Sequence, residues 1–302
     1  MKSRRIGLLG VPTSAGSHNA GQERAPEAFR SAGIVTELES RGVEVFDFGD
    51  LETATHRPSQ REAGVRDASR VVQVATQTRD KVVEIAAAGY QPVVLGGDCT
   101  ITIGVVAGLS ATRSVGLLYF DGDADLNTPE LSGSGVLDTM GITHLLGGGV
   151  RELAELGDRT PLLDSERLVL AGFDPGELDT AQWQSLVSRQ LTAMPAAVLR
   201  SQPEESVRRG LAHLTAAAES VVVHFDVDVI DTGAFPLANF PHFAGLLPDE
   251  AFGCLQTMCV SPAVEALVVT EANPGHDPDG ALVARVVEAV ATALAGVPEP
   301  AR

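Results

Sequence analysis

The run Tyr119-Phe120-Asp121-Gly122-Asp123-Ala124-Asp125 restricts what this chain can fold into more than any other stretch. It grows out of the apolar segment Val115 to Phe120, which reads as a buried strand. Side chains repeat every two residues along an extended chain, so Asp121, Asp123 and Asp125 are expected on one face. Carboxylates crowded in this way repel one another unless a cation sits among them. A second run, Val221 to Ile230, places Asp226 and Asp228 on a shared face. Two strands ending in clustered aspartates point to a metal site, with room for more than one ion. The plainer alternative is a solvated acidic turn.

The rest of the chain alternates strand and helix. Strands are expected at Arg5 to Val11, Val43 to Phe48, Pro92 to Leu95, Leu168 to Gly172 and Ala266 to Thr270. Helices are expected at Arg24 to Ala32, Val65 to Ala88, Thr100 to Leu109, Met140 to Leu146, Thr180 to Arg189, Glu204 to Ala218 and Ala281 to Leu294, with another starting at Pro248. Leu51 to Glu62 reads as a surface loop, and the tail after the last helix as frayed. This alternation predicts an α/β fold, a three-layer αβα sandwich with a mainly parallel sheet, formed by residues 1-302 as a single domain. In such sheets ligands bind beyond the carboxyl ends of the strands. Asp98-Cys99, Asp121 to Asp125, Asp174, Asp226-Asp228 and Glu271 all fall at such ends. Five segments converging on one edge carry more weight than any one motif.

Composition narrows the function. A net charge of -18 over 302 residues argues against nucleic acid or an anionic membrane as partner. No apolar run reaches the roughly 20 residues of a membrane span. The basic start Met1-Lys2-Ser3-Arg4-Arg5 leads into only a short apolar run broken by Pro12, which is not the pattern of a signal peptide. Three cysteines, Cys99, Cys254 and Cys259, make no disulfide framework and suit a reducing cytoplasm; Cys254 and Cys259 read as core.

The motifs together resemble the ureohydrolase (arginase/agmatinase) family over most of the chain. Gly10-Val11-Pro12 with Gly21-Gln22-Glu23-Arg24-Ala25-Pro26 is similar to the family's opening strand and loop. Gly96-Gly97-Asp98-Cys99-Thr100 resembles Gly-Gly-Asp-His-Ser, with Cys for the ligand His. Asp121-Gly122-Asp123-Ala124-Asp125 resembles Asp-Ala-His-x-Asp, with Asp for the second ligand His. Phe225-Asp226-Val227-Asp228-Val229-Ile230-Asp231 matches Phe-Asp-x-Asp-x-x-Asp in full. The resemblance implies two Mn²⁺ per chain whose bridging hydroxide attacks a guanidinium carbon. The metal ligands it implies are Cys99, Asp121, Asp123, Asp125, Asp226 and Asp228. It implies that Glu271 grips the guanidinium, Asp174 an α-amino group, and Asn127, Ser132 and Ser134 an α-carboxylate. A homo-oligomer, trimer or hexamer, is the usual family assembly.

Three departures bear on the chemistry. Five aspartates and a thiolate would place six negative charges against four positive, raising the pKa of a bound water. A single metal, a retained proton on Asp123 or Cys99, or Zn²⁺ or Fe²⁺ in place of Mn²⁺ would relieve this. The family's proton-shuttling His is replaced by Asp138, with His144 nearby as another candidate, and Phe240 stands where arginases carry a small hydroxylic residue. His224 shares a strand face with Asp226 but lies one step deeper, as a supporting or core residue would; His276 follows Glu271 and could line the mouth. The expected function is metal-dependent hydrolysis of a C–N bond in the guanidine of an arginine-like amino acid, Nω-hydroxyarginine included. The alternative is a degenerate relative that binds an amino acid or partner without turnover.

Overall fold

The computed structural model describes residues 4–58 and 61–296. The first basic residues and the expected frayed tail therefore lie partly or wholly outside the described residues. Eight strands form one parallel sheet: β1 (Arg5–Val11), β2 (Glu44–Asp50), β3 (Gln91–Gly96), β4 (Val115–Phe120), β5 (Leu168–Ala171), β6 (Thr192–Met194), β7 (Ser220–Asp226) and β8 (Val264–Thr270). Their order across the sheet is β2-β1-β3-β8-β7-β4-β5-β6. The chain first builds the two flanks and then fills the middle with β7 and β8. The loops leaving β3, β8, β7 and β4 are thereby brought side by side at one edge.

Helices cover both faces. On one lie α1 (Ala25–Ser31), α2 (Ile34–Ser40), α8 (Ala196–Ser201), α9 (Pro203–Ala217), α10 (Pro248–Cys259) and α11 (Ala281–Ala295). On the other lie α3 (Ala68–Ala87), α4 (Ile101–Ser110), α5 (Gly141–Leu145), α6 (Arg151–Ala154) and α7 (Thr180–Ser188). Each central strand feeds both cores by its twofold alternation: Leu118 and Phe120 face the first layer, Leu117 and Tyr119 the second. Burial on both faces explains why β4, β7 and β8 read as nearly unbroken apolar runs. Cys254 and Cys259 are core residues of α10.

Some expected boundaries move. The helix expected up to Ala32 is followed by a second, α2, because Gly33 takes a left-handed conformation (φ 87°) and lets a new helix start directly. The short edge strand β6 and helix α8 carried no periodic signal. The larger correction concerns the aspartates. β4 ends at Phe120, and β7 ends at Asp226 with a 3-10 turn at Val227–Val229. Only Asp226 lies on a strand. The remaining carboxylates converge because the backbone curls: Asp123 N–H donates to Asp121 Oδ1 (2.7 Å), Asp228 N–H to Asp226 Oδ1 (2.8 Å), and Asp125 has φ 46°.

Candidate metal centre

Cys99, Asp121, Asp123, Asp125, Asp138, Asp228 and Glu271 line one cleft with His18, Thr139 and Phe240. Asp226 lies beneath it, fully buried. The open space is about 40 Å³, enough for ions and a few waters and too little for an amino acid. Two larger cavities, of about 440 and 540 Å³, lie by Arg4, Tyr90 and Val264 and by Asp67, Val72 and Glu152. Neither holds such a cluster of donors, so chemistry and not size identifies the site.

The floor is tightly bonded. Cys99 Sγ lies 2.7 Å from Asp226 Oδ2 and 3.7 Å from Asp121 Oδ2. The Thr270 hydroxyl donates to Asp226 Oδ2 at 3.0 Å. His224 points its Nε2 to Asp121 Oδ2 (3.2 Å), and Thr102 Oγ1 pairs with its Nδ1 (2.7 Å). The ring stacks on Tyr119, its register partner on β4, with centroids 4.0 Å apart. The Tyr119 hydroxyl in turn donates to Asp125. At the rim, His242 donates from Nδ1 to Glu177 (2.7 Å) and turns Nε2 toward Asp228 (3.5 Å) and Asp123 (4.0 Å).

Burial raises most of these acids far above their ordinary range. Asp121, Asp125, Asp226 and Glu271 are all pushed well up, by burial first and by neighbouring carboxylates second. Asp123 reaches about 6 and Asp138 about 8, for the same leading reason. The Cys99 thiol is driven well above its usual value by burial and by Asp226, Asp138, Asp121 and Glu271. Asp228 is the exception: burial pushes it up, but the charge of His242, whose Nε2 lies 3.5 Å away, outweighs this and holds it low. Burial lowers His224 to about 3. Burial also opposes charge on His242, yet Asp228, Asp123 and Glu177 lift it to about 10.

Such a cluster is what a divalent cation resolves. Two donor groups suit one: Cys99, Asp121, His224 and Asp226, whose ligand atoms lie within 4.8 Å of one another, and Asp123, Glu177 and His242, equally close. The buried Nε2 of His242 and Oε1 of Glu271 have no hydrogen-bond partner. The residues present therefore fit bound metal, with thiolate, imidazole and carboxylate donors.

The other expected residues fall as follows. Glu271, at the end of β8, accepts from Gln22 Nε2 (2.7 Å) on Oε2. Asp138 Oδ1 accepts from the Cys99 backbone N–H (2.8 Å) and sits with Cys99 and Glu271. His144 does not reach the cleft: it is wholly buried in the second core, with Nδ1 on the Met140 carbonyl (2.6 Å). Burial there lowers it to about 4. Ser132 and Ser134 shape their own loop by accepting from the Gly135 and Val136 N–H groups (2.9 and 3.2 Å). Arg61 and Arg66 hold the carbonyls of that loop. The Asn127 backbone ties to Thr139, and Asp174 caps a 3-10 turn by accepting from Gly176 N–H (2.8 Å). Neither Asn127, Ser132, Ser134 nor Asp174 lines the cleft itself. His276 Nδ1 pairs with the Ala238 carbonyl (3.1 Å) and also stays outside the cleft lining. Sequence reading missed Gln22, His18 and His242. His224 is wholly buried beneath the cleft and supports Asp121 from there.

The parallel sheet, its carboxylate-lined edge and its metal-compatible donors define an α/β protein with a candidate metal centre at the carboxyl ends of its strands. A sequence model described as the Arginase family matches residues 4–296. The arginase of Brevibacillus brevis is 27% identical over 299 residues, covering 97% of this chain and 98% of that protein. Human arginase-1 is 28% identical over 303 residues, covering 97% and 93%. The solved arginase of Bacillus caldovelox superposes with a TM-score of 0.86 at 24% identity, covering 96% and 98%. The chain belongs to the arginase family and is a ureohydrolase-like enzyme. Among the described residues, no helix is long and apolar enough to cross a membrane.

Proposed function

We propose that this chain hydrolyses a C–N bond of the guanidine group of an arginine-like amino acid or of its N-hydroxylated form. The observation that carries this is Glu271. Its Oε2 is occupied by Gln22, while Oε1 is buried with no hydrogen-bond partner, and the residue lines the cleft with the aspartates. A buried carboxylate oxygen left open costs free energy unless a cationic partner arrives. A planar guanidinium is such a partner, and it would lie between Glu271 and the metal donors.

Bound divalent ions would supply an activated water and would stabilise the charge that builds on the reacting carbon. Cys99, Asp121, Asp125, Asp226 and Asp228, with Asp123, are the residues proposed to hold them. The protein's own groups do the rest. Glu271 fixes the guanidinium plane. Asp138, which burial lifts to about 8 in the metal-free protein, sits beside Glu271 and can carry a proton there. It is placed to give that proton to the departing nitrogen. Gln22 is itself held by Asn239 (2.7 Å), so Glu271 is oriented from two steps away. Asp174 and the Asn127/Ser132/Ser134 loop are proposed for the α-amino and α-carboxylate groups. The mouth is narrowed by Phe240, 46% exposed, whose ring lies 6.2 Å from that of His18. A substrate must displace this pair to enter.

The test is a panel of arginine, Nω-hydroxyarginine, agmatine and a guanidino acid lacking the α-amino group, offered to metal-loaded protein. The expected outcome is release of urea or hydroxyurea from the first two and little from the others. Equal turnover of agmatine would remove the roles given to Asp174 and the serine loop. No turnover of any member by fully metallated protein would remove the hydrolase reading.

A further inference from the structure

The resemblance supplies two histidines at positions where this chain has Cys99 and Asp123. Two other histidines have arrived in the same space. His224 comes up from β7 beneath the floor, and His242 comes in over the rim from the loop that follows. We propose that these two restore the lost imidazoles, so that the chain keeps two metal positions with a relocated ligand set. One ion is held by Cys99, Asp121, His224 and Asp226, with His224 taking the place given above to Asp125, whose carboxylate accepts from the Tyr119 hydroxyl. The other is held by Asp123, Asp228 and His242. This rests on the reading that the cluster binds metal.

Four observations support it. Within the first set, the ligand atoms lie inside 4.8 Å of one another. In both histidines the far ring nitrogen is tied to an oxygen, as in metal ligands, and the near one faces a carboxylate of its set: Asp121 Oδ2 for His224 (3.2 Å) and Asp228 Oδ2 for His242 (3.5 Å). For His224 the tie is Thr102 Oγ1 (2.7 Å), and for His242 it is the carboxylate of Glu177 (2.7 Å). Because a carboxylate only accepts, the His242 Nδ1 must carry the hydrogen in that bond. The Nε2 then faces Asp228 (3.5 Å) and Asp123 (4.0 Å), and a bound ion would take the place of the hydrogen it carries in the free protein. Third, that Nε2 is buried and without a partner. Fourth, the chain has made room for it. A Cβ on Gly122 would meet His242 Cδ2 at 2.6 Å and the Asp228 carbonyl at 2.8 Å. The resembled motif has Ala at that position. Gly122, Asp123 and His242 therefore read as one linked exchange, in which the imidazole moved from one loop to another.

The relocation changes the metal preference. A thiolate, an imidazole and two carboxylates around one ion favour Zn²⁺, Co²⁺ or Fe²⁺ over Mn²⁺. The second position, with two carboxylates and one imidazole, stays harder and takes Mn²⁺ as readily.

The test uses full-length protein loaded with Co²⁺. Wild type is expected to bind two ions and to show a thiolate-to-cobalt charge-transfer band from Cys99. Replacing His224→Gln should alter that band's associated visible spectrum and weaken one ion. His242→Gln should weaken the other and leave the thiolate band in place. Each loss should exceed the roughly 10- to 100-fold that removal of a mere supporting partner costs. If His224→Gln does not fold, Gly122→Ala gives an independent reading: it keeps every donor but crowds His242, and should weaken the second ion alone. X-ray absorption on the Zn²⁺ form should show imidazole scattering that falls in each histidine variant. Wild type binding two ions, with affinities and imidazole scattering unchanged in His242→Gln and His224→Gln, would overturn this inference and leave the metal-hydrolase reading standing. Wild type binding no ion would overturn both.

Discussion

Replacing Glu271 by Gln separates the demands of the site from those of the fold. Glu271 is 4% exposed and its ionised form is opposed by burial and then by Asp138. One of its oxygens has no partner in the free protein. The amide keeps the shape, cannot ionise and can still accept from Gln22. Folding stability should therefore hold or rise, by up to about 1–2 kcal/mol. Activity should move the opposite way. A buried carboxylate paired with a guanidinium loses about 2–5 kcal/mol when its charge is removed, a fall of roughly 30- to 5,000-fold in kcat/KM. Steady-state kinetics with saturating metal, thermal unfolding and metal content should be measured on the same preparation. Metal content should not change. A kcat/KM within about threefold of wild type, with metal retained, would refute the assignment of Glu271 to the guanidinium.

Other expectations follow from the same geometry. Metal-stripped protein should lose stability as pH rises. Asp138 has a folded value of about 8 against an unfolded 3.8, so its contribution is complete below about 4 and lost as pH climbs through about 8; Asp121, Asp125 and Asp226 shift the same way. Differential scanning calorimetry should show a falling Tm from about pH 5 to pH 8, and a flat profile would count against the cluster. Adding a divalent ion at about 1,000 times its Kd should restore about 4 kcal/mol per position, or about 6 °C for a chain of this size. His144 acts at lower pH. Its folded value of about 4 lies below the unfolded 6.5, so its contribution is present above 6.5 and lost as pH falls through about 4, amounting to about 3 kcal/mol. His144→Leu should flatten that acid limb without changing the pH profile of kcat; an altered kcat profile would return His144 to the chemistry. Gly172 has φ 101°, and a Cβ there would meet Val229 Cγ2 at 2.3 Å and the Asp121 carbonyl at 2.9 Å. Gly172→Ala should cost about 1–3 kcal/mol and weaken metal binding through Asp121; unchanged unfolding would show the position to be permissive.

Much of the fold was legible because buried parallel strands leave long apolar runs, as in Val115 to Phe120 and Val264 to Thr270. The acidic motifs were legible because each follows such a run directly, and topology then brings the run ends together. Their geometry was not. Period-two alternation predicted three aspartates on one extended face, whereas turns at Asp121 and Asp226 fold the carboxylates inward. His242 gave no local signal: it lies 119 residues after Asp123 in the chain and meets it only through the loop beyond β7. His224 was legible as a buried residue below Asp226, but strand parity gives the face and not which neighbour the ring leans on, here Asp121. His144 misled in the other direction. Its closeness in sequence to Asp138 suggested the cleft, while α5 turns the ring into the core.

The most direct test of the account is the metal content of the chain, measured by elemental analysis on protein purified without chelator and again after loading with Mn²⁺, Zn²⁺, Fe²⁺ or Co²⁺. The account predicts about two divalent ions per chain, with loss of the one that Asp226 holds in Asp226→Asn. Wild-type protein that stays free of metal after every ion has been offered would contradict it.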